Sequence, residues 1–393
     1  MAKKLLIVMV ALALLIPVFA CAPKPAETIK VGCVLSMTGL LGPMGTDMMA
    51  AARLAVKEIN EAGGVLGKQV QLIEEDDGTE AAKCLERVKK LVEIDGAKVL
   101  VGCMTSGAGM ATGPYLAQKS VLVVTPSATS PALSEQHWKN WLFRSTPHDA
   151  FQGEVLAQVV LEKGFTRLAT VVQDNPYGVG LEKALVDALK KAGWTGQNVV
   201  SIHFDQTKAD YRTELETVKG KNPDVVLAVT YAEDGIILFR QAGEMGLDNI
   251  AWLGCDGNYG DGMFADPRCA EFMVKAIIAG TRAAGTPPGA TYEKFTAAYK
   301  AATNKDSSVY CDTTYDAIWL IAKAIQKAGT DDGAAVRDAL LQIGQNYDGA
   351  SGIITFDSIG DRVSGVFEIW KVVKDPAAPT GYKNVPIKTV TMK

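Results

Sequence analysis

The sequence predicts an α/β protein with two Rossmann-like lobes, each a parallel sheet flanked by helices. Short apolar runs alternate with amphipathic helical stretches from residue 29 onward. A parallel crossover needs a dozen or more residues, which this alternation supplies. Two such series begin near Ile29 and near Leu168, and a chain of 393 residues exceeds what one hydrophobic core usually serves. Two lobes are therefore expected.

Eight short apolar runs are predicted to be strands. They span residues 29–35, 69–74, 98–101, 121–124, 168–172, 199–204, 225–229 and 251–254. Helices between them are indicated by apolar side chains at i, i+3 and i+4 spacing. This spacing is clearest over residues 48–59, 81–92 and 181–189. The segment 143–147 lies between the two series and is predicted to cross from one lobe to the other.

The first 20 residues have the pattern of a signal peptide. Lys3 and Lys4 precede an apolar run over residues 5–20, which ends in small residues. The run is shorter than a comfortable transmembrane helix requires, and Pro17 interrupts it. Cleavage after residue 20, and hence export, is the favoured interpretation over a permanent membrane span.

Cys21 follows Val18-Phe19-Ala20, a stretch that resembles a bacterial lipobox, although the bulky Phe19 is atypical. The resemblance implies that Cys21 becomes the first residue and carries lipid. Residues 21–28 hold two prolines and few apolar side chains, so they are expected to form a flexible tether. A lipid-anchored protein in the periplasm or on the cell surface is the resulting prediction.

The charge balance argues against nucleic acid as a partner. The whole chain has 40 Lys and Arg against 44 Asp and Glu, and loss of Lys3 and Lys4 with the leader leaves a net charge of −6. Phosphate binding needs clustered positive charge, and the sequence has no such cluster.

Signatures of enzymes, metals and cofactors are absent from the sequence. No GxxxxGK[ST] phosphate loop occurs, and no GxGxxG follows the first strand. The three histidines, His137, His148 and His203, have no metal-ligand spacing. Ser106 lacks the leading glycine of a nucleophile elbow. We therefore expect neither catalysis nor a bound metal or cofactor.

Six cysteines besides Cys21 are compatible with two interpretations. Their even number permits disulfides in an exported protein, whereas buried cysteine also serves as a small apolar residue. They are Cys33, Cys84, Cys103, Cys255, Cys269 and Cys311. If one disulfide forms, we expect Cys84 to pair with Cys103, because one lies on a helix and the other ends the next strand of the same lobe.

Ligands of open parallel sheets bind beyond the carboxyl ends of the strands, where loops lead into helices. Hydroxyl, phenol and carboxylate side chains occupy these positions here. The candidate ligand-binding residues are Thr105, Ser106, Ser127, Ala128, Thr129, Tyr177, Tyr231 and Asp256. Their convergence outweighs the alternative that Ser106 and Thr129 only cap helices and that Asp256 only forms a turn.

Five segments carry a resemblance to a known family. They are 31–39 (VGCVLSMTG), 58–67 (EINEAGGVLG), 125–133 (TPSATSPAL), 174–180 (DNPYGVG) and 253–257 (LGCDG). Over essentially the whole mature chain, the sequence resembles the branched-chain amino-acid-binding proteins of ABC importers, which are type I periplasmic binding proteins. The resemblance implies a non-enzymatic monomer that binds an amino acid and hands it to an importer permease.

By position, the resemblance also implies roles for individual residues. Ser106 and neighbouring amides would hold the α-carboxylate of the ligand. Ser127 and Thr129 would supply a backbone carbonyl and a hydroxyl to the two ends of the zwitterion. Tyr231 would cover the ligand from the second lobe, and Asp256 would face its α-ammonium.

Two positions leave the identity of the ligand's side chain undetermined. Met44 stands where many relatives have an aromatic residue, so the pocket is expected to be wider or reshaped while staying hydrophobic. Tyr177 is equally consistent with a role as a plain wall residue. The class of amino acid is therefore not fixed by sequence.

The resemblance further implies a hinge of three crossovers. Lobe 1 is expected to comprise residues 27–146 and 279–352, and lobe 2 residues 147–278 and 353–393. Closure of the lobes around a ligand would form the surface that a permease recognises.

Three alternatives stay open at this point. The same fold could serve as a ligand-sensing receptor module, although no apolar span follows either lobe. It could bind an aromatic acid, an amide or urea, in which case an acid without ammonium would leave Asp256 unpaired. The third alternative is an enzyme, and the absence of the catalytic motifs considered above argues against it.

Overall fold

The computed structural model describes residues 27–284, 289–363 and 365–392. The predicted signal peptide, Cys21 and most of the predicted tether lie outside these residues. Among the helices that are described, none is both long enough and apolar enough to cross a membrane.

Lobe 1 contains a parallel sheet of five strands in the order β2-β1-β3-β4-β5. The strands are β1 (Ile29–Leu35), β2 (Val70–Asp76), β3 (Val99–Gly102), β4 (Leu122–Thr125) and β5 (Leu142–Arg144). β3 and β4 are buried along their whole length, as expected of strands covered by helices on both faces. The carboxyl ends of all five strands therefore point to one edge of the lobe.

Lobe 2 contains a sheet of seven strands in the order β14-β13-β10-β9-β8-β6-β7. These are β6 (Arg167–Gln173), β7 (Gln197–Phe204), β8 (Val225–Val229), β9 (Ala251–Gly254), β10 (Ile277–Ala283), β13 (Gly365–Lys374) and β14 (Tyr382–Met392). β6 to β10 are parallel, whereas β13 and β14 are antiparallel additions at one side. β11 (Tyr347–Gly349) and β12 (Gly352–Ile354) form a separate two-stranded sheet that belongs to neither of the two large sheets.

Eleven α-helices cover the described sheets. They are α1 (Gly42–Glu61), α2 (Ala81–Glu93), α3 (Ser106–Lys119), α4 (Asp149–Glu162), α5 (Pro176–Lys191), α6 (Arg212–Lys221), α7 (Ala232–Glu244), α8 (Pro267–Ala276), α9 (Ala290–Thr303), α10 (Cys311–Ala328) and α11 (Gly333–Ile343). α1 buries Met48, Ala52, Ala55 and Ile59, the apolar face that its spacing predicts. α9 to α11 return to lobe 1, where α10 packs along α1.

The predicted two-lobed α/β fold is confirmed, and the eight predicted strands form within two residues of their expected limits. Six of the described strands were not expected from the sequence: β5, β10, β11, β12, β13 and β14. β5 overlaps the start of the segment predicted to be a crossover, and it ends at Arg144 before the chain enters lobe 2 at α4.

Two predicted lobe boundaries are wrong. Ala279 does not begin lobe 1, because it lies inside β10 and pairs with Leu253 of the second sheet. The chain leaves lobe 2 only after β10. Residue 353 does not begin lobe 2, because Phe356 packs edge-on against Phe143 at 5.2 Å and Asp361 forms an ion pair with Arg144 at 2.6 Å. The return to lobe 2 therefore comes just before β13.

The predicted Cys84–Cys103 disulfide is also wrong. All six cysteines within the described ranges are buried and free. Cys84 and Cys103 nevertheless lie side by side, because a hydrogen bond between the two thiols and burial raise the pKa of Cys84 well above its usual value. Cys103 Sγ also lies 3.0 Å from Thr112 Oγ1. The thiols act here as small buried groups whose hydrogen bonds are satisfied locally.

Candidate functional site

A narrow cavity lies between the lobes at the carboxyl ends of both sheets. Lobe 1 contributes Leu41, Met44, Met104, Thr105, Ser106, Ser127 and Tyr310, and lobe 2 contributes Tyr177, Tyr231, Asp256 and Gly257. Nine residues were predicted to contact the ligand when Met44 is included, and seven of them line this cavity.

The amino end of α3 forms one wall of the cavity. β3 ends at Gly102, and Thr105 caps α3 by accepting a hydrogen bond of 3.1 Å from the amide of Ala108. Ser106 is the first helical residue, and its Oγ accepts a hydrogen bond of 3.1 Å from the amide of Ser130. The first amides of a helix carry partial positive charge, so this wall suits a carboxylate.

The segment after β4 contributes less to the cavity than the sequence predicts. Ser127 lines the cavity, with its Oγ donating a 2.8 Å hydrogen bond to the Met104 carbonyl. Ala128 is directed into the apolar core of lobe 1 instead. The Thr129 carbonyl accepts the amide of Asp149 at 2.9 Å, which draws Thr129 below the cavity surface. Neither Ala128 nor Thr129 is a lining residue.

Tyr177 and Tyr231 form an aromatic wall on lobe 2. Their rings are stacked, with centroids 5.7 Å apart and planes inclined by 5°. Asn175 caps α5 by accepting a 3.0 Å hydrogen bond from the Tyr177 amide, and Tyr231 immediately precedes α7. Two strand-to-helix loops thus place both rings at the same edge of the sheet. The pair offers a flat apolar surface.

Asp256 is a buried carboxylate in the wall of the cavity, 3% exposed. Its Oδ1 accepts hydrogen bonds from Gln152 Nε2 at 2.7 Å and Tyr177 Oη at 3.1 Å. Its Oδ2 accepts one from Tyr310 Oη at 2.6 Å. Burial raises the pKa of Asp256, and these hydrogen bonds oppose the increase. No Lys, Arg or His of the described chain pairs with it.

Tyr310 and Gln152 were missed by sequence analysis. Tyr310 immediately precedes α10 in a left-handed conformation with φ of 66°, which is uncommon for a bulky residue and costs about 1–3 kcal/mol. Gln152 lies one turn into α4. Neither follows a strand of its own lobe's sheet, so the strand-end rule could not find them. Leu41 and Met104 were also missed, and they complete an apolar surface with Met44.

Comparison with known proteins identifies the family. The family model described as periplasmic binding protein matches residues 28–375. The chain belongs to this family. Its members bind solutes and are not enzymes, which confirms the prediction that catalysis is absent, and the family is exported to the periplasm.

Curated relatives cover nearly the whole chain. The Leu/Ile/Val-binding protein homolog 3 of Brucella melitensis is 31% identical over 355 residues, which are 87% of this chain and 91% of the relative. The Leu/Ile/Val-binding protein of Escherichia coli is 28% identical over 87% of this chain and 91% of its own. These relatives confirm the resemblance to branched-chain amino-acid-binding proteins.

Solved structures share the fold. The branched-chain amino acid transporter substrate binding protein of Streptococcus pneumoniae, in complex with isoleucine, is 26% identical and superposes with a TM-score of 0.77, covering 92% of this chain and 100% of its own. A solute binding protein of Rhodopseudomonas palustris in complex with benzoate has a TM-score of 0.78 at 18% identity, covering 92% of this chain and 96% of its own. At this low identity, the similarity to the benzoate-binding protein is evidence for a shared fold only.

Proposed function

We propose that this protein captures an apolar amino acid, of the branched-chain type or similar, between its lobes and delivers it to an ABC importer. The observation that carries the proposal is Asp256, a buried carboxylate in the cavity wall with no cationic partner in the described chain. A buried charge of this kind is stabilised when an ion of opposite charge pairs with it. The α-ammonium of an amino acid supplies that ion.

The opposite wall suits the rest of the ligand. The first turn of α3, at Thr105 and Ser106, would bind the α-carboxylate through backbone amides and the Ser106 hydroxyl. The apolar side chain would lie against Leu41, Met44 and Met104. Methionine side chains adapt to different shapes, so we expect several apolar amino acids to bind. Thr129 and Ala128 would act from behind the cavity wall rather than by side-chain contact.

An aromatic acid is the alternative that one observation favours, namely the stacked surface of Tyr177 and Tyr231. Such a ligand has a carboxylate but no ammonium. It would place a second negative charge in the cavity and leave Asp256 unpaired, which low polarity makes costly. A neutral amide or urea would avoid the repulsion but would also leave Asp256 without a counterion. The amino-acid ligand is therefore preferred.

Attachment through lipid at Cys21 is part of the proposal. Membership in an exported family and the lipobox-like Val18-Phe19-Ala20 support it. An anchored binding protein would stay near the importer permease, and relatives are named as transporter components. A receptor module of the same fold would need a signalling partner in place of the permease.

Calorimetry of the delipidated protein would test the function. The panel would include leucine, isoleucine, valine, methionine and phenylalanine, each paired with its 2-oxo acid, together with benzoate and urea. We expect binding of several amino acids and no detectable binding of the 2-oxo acids. Tight binding of benzoate with none of the amino acids would replace this function with the aromatic-acid alternative.

A further inference from the structure

Gly180 on α5 of lobe 2 lies against a turn of lobe 1, outside the ligand cavity. A β-carbon placed on Gly180 would lie 2.6 Å from Ser130 Oγ, and 3.3 Å from both Ser130 Cβ and Pro131 Cδ. Carbon atoms in van der Waals contact are about 3.5–4.0 Å apart. The two lobes therefore approach each other here to a distance that leaves no room for a side chain.

The turn at Ser130 and Pro131 is held in place within lobe 1. The Ser130 amide donates to Ser106 Oγ at 3.1 Å, and the Ser130 carbonyl accepts from Arg144 Nη1 at 2.8 Å. Ser130 is fully buried, and the ring of Pro131 restricts the backbone that follows it. Rotation of the Ser130 side chain would move Oγ away from an added methyl group, but it would leave Ser130 Cβ and Pro131 Cδ where they are.

The other side of the contact is held in place within lobe 2. Gly180 begins the second turn of α5, whose first amides are capped by Asn175 Oδ1. α4 packs closely on α5, so that a β-carbon on Gly153 would lie 2.5 Å from the carbonyl carbon of Ala184. A shift of α5 within its lobe would break this packing. A side chain at position 180 is therefore expected to move one lobe away from the other through the hinge.

The contact lies between the ligand cavity and the outer surface. Ser106 and Tyr177 line the cavity, whereas Ser130 and Gly180 line a groove that both lobes form beside it. This groove faces solvent, because the side chain of Lys183, which also lines it, is 70% exposed. Neither Ser130 nor Gly180 is a cavity-lining residue. The contact therefore acts on closure of the lobes without touching the ligand.

We propose that Gly180 and the turn at Ser130 and Pro131 form a closure contact, and that the lobes close fully because position 180 has no side chain. The inference rests on the proposed function of binding a ligand between the lobes. Ser106 connects the contact to the ligand site: its Oγ accepts the Ser130 amide, so its proton can be directed to a ligand carboxylate. A side chain at position 180 strains the closed form alone, and ligand affinity falls by the amount of that strain.

Calorimetry with leucine, together with urea unfolding of the ligand-free protein, would test the contact. Gly180→Ala should weaken binding about five- to a hundredfold, and Gly180→Val should weaken it further, because overpacking strains the closed form. Ligand-free Gly180→Ala should be at least as stable as wild type, since alanine favours a helix interior over glycine. A packing defect within one lobe would instead lower this stability.

Two further sets of variants sharpen the comparison. Ser130→Ala in the Gly180→Ala background removes the closest contact, so it should restore part of the lost affinity. Gly220→Ala and Gly220→Val are the matched controls. Gly220 lies in the last turn of α6 in the same lobe, and a β-carbon there would meet nothing within 4 Å. Both control variants should bind leucine as tightly as wild type.

Distances between two spin labels separate this inference from the proposed function. In Cys21→Ser protein, labels at Glu86→Cys on α2 and Lys190→Cys on α5 attach selectively, because both positions are exposed and the six cysteines of the described ranges are buried. Wild type should populate the short distance of the closed form more than Gly180→Val does, with and without ligand. If no amino acid binds, the proposed function fails while these distances still decide the contact. Label distances in Gly180→Val equal to those of wild type, or equal leucine affinities, would overturn the inference.

Discussion

Tyr310 Oη of lobe 1 donates a hydrogen bond of 2.6 Å to Asp256 Oδ2 of lobe 2. Both side chains are buried and both line the cavity. The bond crosses the cleft, so it exists only when the lobes are together. It therefore links closure of the protein to the carboxylate that we assign to the ligand ammonium.

The first prediction concerns this link. Tyr310→Phe removes a hydrogen bond to a charged group, worth about 1.5–3 kcal/mol, from the closed form alone. We expect amino-acid affinity to fall about ten- to hundredfold by calorimetry. Solution scattering should show that ligand reduces the radius of gyration of wild type and does so only at higher concentration in the variant.

Tyr299→Phe is the matched control for Tyr310. Tyr299 is also buried in lobe 1, but its Oη donates to the Asp47 carbonyl within the same lobe at 3.1 Å. Its removal should leave affinity unchanged. Equal affinities of Tyr310→Phe and wild type would show that the cross-cleft bond does not contribute to closure.

The second prediction concerns recognition of the ammonium. Asp256→Asn keeps the shape of the side chain but removes its charge, so amino-acid binding should weaken by ~3–5 kcal/mol, or about two to four decades. Wild type should reject 4-methyl-2-oxopentanoate, and the variant should lose much of that discrimination. Ser106→Ala should instead weaken any ligand that carries a carboxylate by a similar factor. Unchanged leucine binding by Asp256→Asn would contradict the ammonium site.

The third prediction concerns the buried ion cluster between the first and third crossovers. Asp361 pairs with Arg144 at 2.6 Å and with Lys139 at 2.7 Å, and all three are buried. Asp361→Asn leaves two buried cations without a counterion, so the free energy of unfolding should fall by ~3–5 kcal/mol in urea titrations at pH 7. Asp375→Asn, at an exposed pair with Lys383, should have little effect.

The same cluster sets a pH dependence of stability. Burial alone would raise the pKa of Asp361, but Arg144 and Lys139 outweigh it and hold the pKa well below its usual value. The folded pKa is depressed, so this contribution is present above about pH 4 and is lost as pH falls below it. Wild type should therefore lose stability more steeply than Asp361→Asn between about pH 4 and about pH 2. Parallel losses would argue against the pairing.

The fourth prediction concerns attachment. Mass spectrometry of membrane-extracted protein should find a lipid-modified Cys21 as the first residue. Cys21→Ser should release the protein from the membrane fraction, because the serine hydroxyl cannot take the thioether-linked lipid. A wild-type product that is soluble and cleaved elsewhere would contradict the anchor.

Much of the site follows from strand order alone. Ser106, Tyr177, Tyr231 and Asp256 each lie just beyond the carboxyl end of a parallel strand, and such ends share one edge of a sheet. Ser127 follows the same rule. Sequence therefore placed these residues together without any knowledge of their contacts. It could not place Ala128, whose direction depends on how one loop turns into the core.

The sequence by itself determined the two lobes and eight of the strands, because apolar periodicity reports local burial. It also determined that the ligand site forms at the carboxyl ends of the parallel strands, because these ends share one edge of each sheet. The tertiary structure alone decided that β10 joins the second sheet, that Cys84 and Cys103 stay thiols, and that Thr129 lies behind the wall. It also brought Tyr310 to Asp256, 54 residues earlier in the chain. Such pairs depend on how helices return across the hinge, and contacts at that separation leave no periodic signal in either segment.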